Sequence, residues 1–231
     1  MDAVIFDLDG VLVDSERIWD EVRRAVVAEH GGTWREEATR AQQGMSTPEW
    51  ARYLVEELGA RLSPPEIATL VVKRMAARYA QEPPLIDGAV DVVRQVSKRW
   101  PVAIASSSPV ILIKGFLDVT GLPVGAAVSS EQVGAGNTKT GKVHTNGVTL
   151  EGKGKPAPDV YLYAAELLGV APEDCAAVED STNGLKSALA AGMTVYAIPN
   201  PHFPPDPEVL KRTRVLNKIT DLPAALGLVS G

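Results

Sequence analysis

The amino-acid sequence predicts an α/β protein whose core is a doubly wound parallel sheet, with a helical insertion after the first strand. Five short apolar runs have the length of strands and do not alternate with polar residues, as is typical of strands buried on both faces. Segments of helical periodicity separate most of the runs, whereas one long stretch contains helical patterns only. The apolar runs are residues 3–6, 102–105, 126–128, 175–178 and 194–198.

Three segments after that stretch have helical periodicity. They are residues 89–99, 159–169 and 181–191, and another helix is expected after Ser106. Ser181 suits the N-cap of its helix, and Gly192 suits the residue that follows the last turn. This alternation of strands and helices favours parallel strands joined by crossover helices.

Residues 16–82 interrupt the alternation. They contain about three amphipathic helical patterns and no clear strand. We expect hinges at residues 11–15 and 82–88, the second of which is marked by two prolines and a glycine. The sequence therefore predicts a core formed by residues 1–15 and 83–231 and a helical cap formed by residues 16–82.

Residues 135–153 are predicted to form an inserted loop or β-hairpin within the core. The segment is rich in Gly, Thr, Lys and Asn, and its Asn146-Gly147 pair favours a hairpin turn. Residues 136–142 match the start of the phosphate-binding pattern G-x-x-x-x-G-K, but Val143 stands where that pattern needs Ser or Thr. A nucleotide-binding loop is therefore not expected there.

Composition and charge argue against several classes of function. The net charge of −6 and the isoelectric point of about 5.2 disfavour a nucleic-acid-binding surface. A single cysteine, Cys175, leaves no internal disulfide and no cysteine-rich zinc site. The N-terminus does not resemble a leader peptide, and no apolar run approaches the length of a membrane span. We expect a cytoplasmic protein, monomeric or weakly dimeric, without a membrane or nucleic-acid partner.

Two pairs of acidic residues follow predicted strands. Asp7 and Asp9 come after the first apolar run, and Glu179 and Asp180 come after the run 175–178. Because the carboxyl ends of parallel strands meet in one crevice, these carboxylates are expected to converge. Like charges at that distance require a cation, and oxygen ligands without His or Cys suit Mg²⁺.

Groups that bind phosphate are also placed at strand ends. Ser106 and Ser107 follow the second strand, and Lys155 precedes a helix that begins near Pro158. Hydroxyl groups, ammonium groups and helix N-termini all bind phosphate oxygens. Their shared placement indicates a single phosphate site next to the metal.

Four ordered motifs carry a resemblance to a known family. The sequences FDLDGVLVDSE, ASSSP, GKPAPDVY and VEDSTNG resemble the signature motifs of the haloacid dehalogenase superfamily. The resemblance covers about residues 1–225 and is closest to the beta-phosphoglucomutase-like phosphatases, which have a helical cap between the first two motifs. It implies a Rossmann-like doubly wound core with an inserted α-helical cap domain.

The resemblance also implies a role for each motif residue. Asp7 would attack phosphorus and form a phosphoaspartate, and Asp9 would act as the general acid and then the general base. Ser106, Ser107 and Lys155 would bind the phosphoryl oxygens. The ligands of Mg²⁺ would be the carboxylates of Asp7 and Asp180 and the main-chain carbonyl of Asp9. Glu179 would support the metal from outside its coordination sphere or bind it through water.

The motif residues distinguish between the dehalogenases, phosphomutases and phosphatases of the superfamily. Dehalogenases of the superfamily lack the second aspartate, so Asp9 and Asp180 argue against dehalogenation. Phosphomutases carry a His and two basic residues in the cap at positions that align with Trp19, Thr47 and Met75 of this chain. These departures favour a Mg²⁺-dependent phosphatase of small phosphorylated metabolites, such as sugar or polyol phosphates. A sugar phosphomutase and a catalytically silent module that binds phosphometabolites stay as alternatives.

The cap is expected to contact the substrate, a small-molecule phosphate ester. The candidate residues are Gly44, Ser46, Thr47, Trp19 and Trp50. A tryptophan in a small helical unit can equally belong to its apolar core. The sequence does not identify the phosphate ester that is hydrolysed.

Overall fold

A computed structural model of the protein describes most of the chain. The described residues are 1–42, 45, 47–81, 83–134, 143–145, 148–150, 154–201 and 203–228. The predicted cap contacts Gly44 and Ser46 lie outside the described residues, as do the greater part of the segment 135–153 and its Asn146-Gly147 turn.

The strands fall into one parallel sheet and one antiparallel pair. In chain order they are β1 (Ala3–Phe6), β2 (Val102–Ser106), β3 (Ala126–Ser129), β4 (Val143–Thr145), β5 (Val148–Leu150), β6 (Cys175–Glu179), β7 (Thr194–Ala197) and β8 (Arg214–Val215). The parallel sheet has the order β3-β2-β1-β6-β7-β8. The strand order reverses between β1 and β6, which is the doubly wound topology predicted from the sequence and now confirmed.

The helices surround the sheet and fill the segment between β1 and β2. They are α1 (Glu16–Glu29), α2 (Ala38–Ala41), α3 (Thr47–Glu56), α4 (Pro64–Gln81), α5 (Ala89–Ser97), α6 (Val110–Thr120), α7 (Ser130–Gly134), α8 (Asp159–Leu168), α9 (Thr182–Ala190), α10 (Pro207–Leu210) and α11 (Leu222–Ala225). Short 3₁₀ turns occupy Pro172–Asp174 and Ile219–Asp221. None of the helices in the described part of the chain has the length and apolar character needed to cross a bilayer.

Alternate residues of β1 enter two apolar clusters on opposite faces of the sheet. Val4 and Phe6 pack in the cluster that includes residues of α5, α6 and the helices α1 to α4. Ala3 and Ile5 pack in the cluster formed with α8 and α9. Because both faces of the sheet are covered, every residue of β1 is apolar. The first polar residue after the strand lies at its carboxyl end.

The helices between β1 and β2 pack on one another and on the core. Buried residues of α1 are spaced three or four apart, which gives the helix one apolar face. The last of these helices, α4, packs against α6 through Tyr79, which is fully buried. The helical segment thus extends the apolar cluster that begins under the sheet. Its independence as a cap domain stays a prediction.

Within the second insertion, β4 and β5 pair antiparallel, with Val143 opposite Leu150 and Thr145 opposite Val148. This pairing is separate from the main sheet.

Candidate active site

The candidate site lies at the carboxyl ends of β1 and β6, where the strand order reverses. Asp7 directly follows β1, and Asp180 directly follows β6. Open α/β sheets bind ligands in this crevice. One carboxylate oxygen from each of Asp7, Glu179 and Asp180 lies within 4.8 Å of the other two. The structure thus brings together carboxylates from the ends of two strands. Two of them, Asp7 and Glu179, are 172 residues apart in the sequence.

Gly10 lets the chain after Asp9 approach Asp180 closely. Its φ of +78° lies in the left-handed region, which residues with a side chain rarely adopt. A Cβ atom at this position would also overlap the carboxylate of Asp180. Both constraints require glycine, and they keep the loop that carries Asp9 beside the carboxylate cluster.

Lys155 provides the positive charge within this cluster. Its Nζ donates hydrogen bonds to Oδ1 of Asp7 at 2.7 Å, to Oε1 of Glu179 at 2.5 Å and to the carbonyl of Ala105 at 3.0 Å. These bonds use all three ammonium hydrogens. With its side chain 5% exposed, the ammonium is held by its partners rather than by water. It therefore compensates Asp7 and Glu179 together.

Glu179 is fully buried, and donors occupy both oxygens of its carboxylate. Oε1 accepts from Lys155 and, at 2.9 Å, from the hydroxyl of Tyr161. Oε2 accepts from the backbone N–H of Asp180 at 3.0 Å, and from the N–H and Oγ of Ser181 at 3.3 and 3.2 Å. The carboxylate thus positions Lys155 and the turn after β6. This arrangement suits a residue that supports a metal from outside its coordination sphere.

Three serines hold the carboxylate of Asp9. The hydroxyl of Ser15 donates to Oδ1, and the hydroxyl of Ser108 donates to Oδ2 at 2.5 Å. Ser106 Oγ lies 3.5 Å from the same Oδ2 and accepts a hydrogen bond from the backbone N–H of Ser108 at 3.0 Å. Asp9 is therefore fixed by the loop before α1 and by the loop after β2.

The electrostatics of the cluster favour uptake of a cation. Burial raises the pKa of Asp7 to about 8; Lys155 lowers it, while nearby carboxylates add to the increase. Burial, with the charges of Glu179 and Asp7, also raises the pKa of Asp180 well above its usual value. For Lys155, burial lowers the pKa, but the charges of Asp7 and Glu179 outweigh burial and raise it. The ammonium thus stays protonated and only partly offsets the carboxylates.

The donor set fits a magnesium ion. All the candidate ligand atoms are oxygens, as Mg²⁺ prefers. The carboxylate of Asp180 lines the cavity and accepts no hydrogen bond from any residue in the described part of the chain. Burying a carboxylate that accepts no hydrogen bond is unfavourable, and a bound cation would stabilise the charge of this carboxylate. A cation there would also lower the raised pKa values of Asp7 and Asp180.

A cavity of about 180 Å³ connects this cluster with the helical segment. Asp7, Asp9, Lys155 and Asp180 line its floor. The other walls are formed by α1, α3 and the chain between them, together with the loop after β2 and Ser181. The residues that were predicted as substrate contacts and that line it are Ser107, Trp19, Thr47 and Trp50. Ser106 is fully buried behind this lining.

Several residues of the site were not identified from the sequence. Ser15 and Ser108 both lie within the quoted motifs FDLDGVLVDSE and ASSSP, which was a usable signal, but only Ser106 and Ser107 of the serine run were chosen. Glu16, Asp20 and Arg23 line the cavity with Trp19. They stand three residues before it and one and four residues after it, which places all four on one face of α1. This spacing was a usable signal once Trp19 had been chosen.

Comparison with known proteins agrees with this geometry. The family model described as haloacid dehalogenase-like hydrolase matches residues 1–192. The Drosophila melanogaster protein named "Probable pseudouridine-5'-phosphatase" is 30% identical over a match of 230 residues that covers 97% of this chain and 93% of that protein. Hexitol phosphatase B of Escherichia coli O157:H7 is 29% identical over 231 residues, covering 96% and 94% of the two chains.

A solved structure is similar over the same extent. It is a HAD family hydrolase from Deinococcus radiodurans R1 with bound phosphate and sodium, 31% identical to this chain. The TM-score is 0.67, and the similarity covers 100% of this chain and 98% of that one.

Proposed function

The chain belongs to the haloacid dehalogenase-like hydrolase family and is a phosphoric monoester hydrolase, and we propose that it hydrolyses small sugar or polyol phosphates through a phosphoaspartate at Asp7. The observation that carries this proposal is the contact of Lys155 with Asp7 beside Asp9 and Asp180, at one end of an accessible cavity. The family resemblance that was based on four sequence motifs is confirmed.

Asp7 is arranged to act as a nucleophile. Lys155 binds Oδ1 and leaves the other carboxylate oxygen free to attack phosphorus. The attack forms a bond between that oxygen and phosphorus and breaks the bond to the alcohol oxygen of the ester. In the second step, water attacks phosphorus, phosphate leaves, and the carboxylate of Asp7 is regenerated.

Asp9 transfers the proton in both steps. It gives a proton to the departing alcohol oxygen, and it then takes one from the attacking water. A serine hydroxyl can donate or accept a hydrogen bond, so Ser15 and Ser108 can hold Asp9 in either protonation state. The same side chain can therefore alternate between acid and base without moving.

The remaining groups bind the phosphoryl oxygens. Lys155 and Ser107 border the cavity, and Lys155 would bind a phosphoryl oxygen in place of the carbonyl of Ala105. A phosphate-binding role for Ser106, which is fully buried and donates toward Asp9, stays a prediction. A magnesium ion held by Asp7, Asp180 and the main-chain carbonyl of Asp9 would supply the positive charge that stabilises the transition state. Glu179 would keep Lys155 in place throughout.

The substrate class is inferred from the relatives and from the shape of the cavity. Hexitol phosphates and pseudouridine phosphate both join a phosphate to a carbon chain rich in hydroxyls. Trp19 offers an aromatic surface and Thr47 offers a hydroxyl, whereas Trp50 is almost fully buried in the apolar cluster and reaches the cavity only at its border. Such walls suit the C–H faces and hydroxyls of a sugar or polyol. A cytoplasmic location and a monomeric or weakly dimeric state stay predictions.

The proposal is tested by phosphate release from a panel of sugar and polyol phosphates, with and without Mg²⁺. We expect release that depends on Mg²⁺ and is abolished in Asp7→Asn, while the exposed control Asp118→Asn retains activity. No release from any member of the panel would favour the silent binding module.

A second experiment separates hydrolysis from phosphoryl transfer between sugar hydroxyls. The enzyme is incubated with glucose 1-phosphate and a glucose bisphosphate primer. Net isomerisation without release of phosphate would contradict the proposed hydrolysis and favour the phosphomutase alternative.

A further inference from the structure

Arg23 of α1 has an unusual position above the cavity. Its guanidinium carbon lies 4.7 Å from the ring centroid of Trp19 and 4.8 Å from that of Trp50. The two rings are 6.1 Å apart and inclined by 59°. The guanidinium therefore contacts both inclined indole rings, and cation–π attraction to them fixes its orientation.

The polar edge of this guanidinium is not satisfied by the protein. Its Nε is buried and has no hydrogen-bond partner among the described residues. A buried donor without an acceptor is unfavourable, and such a group needs an explanation. Nε itself faces away from solvent, but Arg23 lines the cavity and its guanidinium makes no hydrogen bond to a described residue, so the terminal NH₂ groups can donate to a ligand there.

The acidic neighbours of Arg23 indicate which acceptor fits. Asp20 is already engaged, since its two carboxylate oxygens accept hydrogen bonds from Arg24 and Thr39. Glu16 lines the cavity and accepts no hydrogen bond from the described residues. Arg23 and Glu16 are thus the charged groups on the cap side of the cavity that make no hydrogen bond to a described residue.

We propose that Arg23 and Glu16 determine specificity by binding hydroxyl groups of an uncharged polyol portion of the substrate, with Arg23 donating to one hydroxyl and Glu16 accepting from another. This inference rests on the proposed phosphatase activity and narrows its substrate class. Substrates that bear a second phosphate are disfavoured, because that phosphate would meet Glu16 and Asp20 as well as Arg23.

Charge at the floor of the cavity supports the same conclusion. The other cation of the lining, Lys155, is already bonded to Asp7 and Glu179 and is not available to the cap side. A second phosphate would therefore find a single cation beside two carboxylates. Neutral hydroxyls meet the hydrogen-bonding needs of Arg23 and Glu16 without adding charge.

The test compares three substrates in the full-length enzyme with Mg²⁺. They are sorbitol 6-phosphate, p-nitrophenyl phosphate, which has no hydroxyl groups, and fructose 1,6-bisphosphate. In Arg23→Met, which keeps most of the side-chain stem, we expect kcat/KM for sorbitol 6-phosphate to fall roughly ten- to hundredfold, mainly through KM. We expect p-nitrophenyl phosphate to be hydrolysed as before, and the matched control Arg17→Met to behave as the unchanged enzyme.

Two results would overturn the inference. An equal loss on p-nitrophenyl phosphate would show that Arg23 has only a structural role, and a preference of the unchanged enzyme for the bisphosphate would contradict an uncharged polyol site. Should Arg23→Met not fold, Glu16→Gln is measured in its place, with the same selective loss expected.

A binding measurement keeps this inference separate from the proposed activity. Trp19 and Trp50 border the cavity, so tryptophan fluorescence of Asp7→Asn can follow binding of sorbitol 6-phosphate without turnover. Adding Arg23→Met to that variant should weaken binding by a similar factor. If binding shows this dependence but no substrate is turned over, the phosphatase proposal fails and the polyol site stands. If turnover occurs and neither measurement depends on Arg23, only the polyol site fails.

Discussion

Replacing Glu179 by glutamine is expected to destabilise the protein, although the two side chains have nearly the same shape. The carboxylate accepts five hydrogen bonds, two at Oε1 from Lys155 and Tyr161 and three at Oε2. The side-chain amide of the new glutamine can be placed in two orientations. When its oxygen faces Lys155, its NH₂ group faces the backbone N–H groups of Asp180 and Ser181, so donors meet donors. With the amide reversed, the NH₂ meets the ammonium of Lys155. Neither orientation satisfies every donor.

The two orientations give similar estimates of the loss. The first leaves two buried backbone donors without an acceptor, at about 1–3 kcal/mol each, or roughly 2–6 kcal/mol in total. The second breaks the buried contact between Lys155 and residue 179, for which removal of one partner typically costs about 3–5 kcal/mol. Either loss is a large part of the ~5–15 kcal/mol by which a domain is usually stable.

The free energy of unfolding is measured by urea titration, with circular dichroism as the signal and a chelator present so that bound metal does not contribute. Glu208→Gln is the matched control, because Glu208 pairs with Lys211 on the exposed surface and should show no measurable change. A loss below about 0.5 kcal/mol for Glu179→Gln, the size usual for surface changes, would refute the argument that these donors require a carboxylate.

Three further changes have defined outcomes. Ser108→Ala removes a hydrogen bond to the carboxylate of Asp9 and should lower kcat about ten- to hundredfold with substrate binding retained, as measured by steady-state kinetics; an unchanged kcat would contradict the positioning role. Gly10→Ala should weaken Mg²⁺ activation by at least tenfold and lower the melting temperature, because the new Cβ overlaps Asp180 in a left-handed backbone conformation; a normal magnesium titration would be inconsistent with that overlap. Burial raises the pKa of the Cys175 thiol to about 11, so a disulfide reagent at pH 8 should modify the folded protein far more slowly than the urea-unfolded one, and equal rates would disprove its burial.

The sheet could be predicted almost completely, because its strands are buried on both faces and are therefore continuously apolar. Each of the five predicted runs is a strand, within one residue at each end. The sixth strand, β8, was not predicted. It has two residues, Arg214 and Val215, both exposed, and pairs only with β7 at the sheet edge, so it lacks the apolar signal.

The core of the site could be predicted for a different reason. Parallel topology alone requires that residues after β1 and β6 meet, so Asp7 and Asp180 could be placed together without any knowledge of side-chain packing. Ser15 and Ser108 could not, because their contact with Asp9 depends on the path of two loops. Loop paths follow from many weak contacts and leave no periodic pattern in the sequence.

The helices between β1 and β2 could be predicted only in part. In the sequence, Ile18, Val22, Ala25 and Val26 have the spacing of one helical face, which predicts that all four are buried. In the structure Ile18, Val22 and Val26 are buried together with Val27, whereas Ala25 is exposed. The apolar face is therefore slightly rotated from the predicted one. An apolar pattern does not indicate which polar residues of a helix border a cavity, so Arg23 could be found only from its spacing to Trp19.

The contact between Asp7 and Lys155 joins residues 148 positions apart in the chain. The first strand carries its carboxylates from the beginning of synthesis, whereas the ammonium that neutralises them comes from the second half of the protein. Contacts of such sequence separation form late, because a long loop must close before they can be made. Recovery of phosphatase activity after dilution from denaturant should therefore lag behind recovery of helix content, so that catalysis itself reports when the whole sheet has assembled.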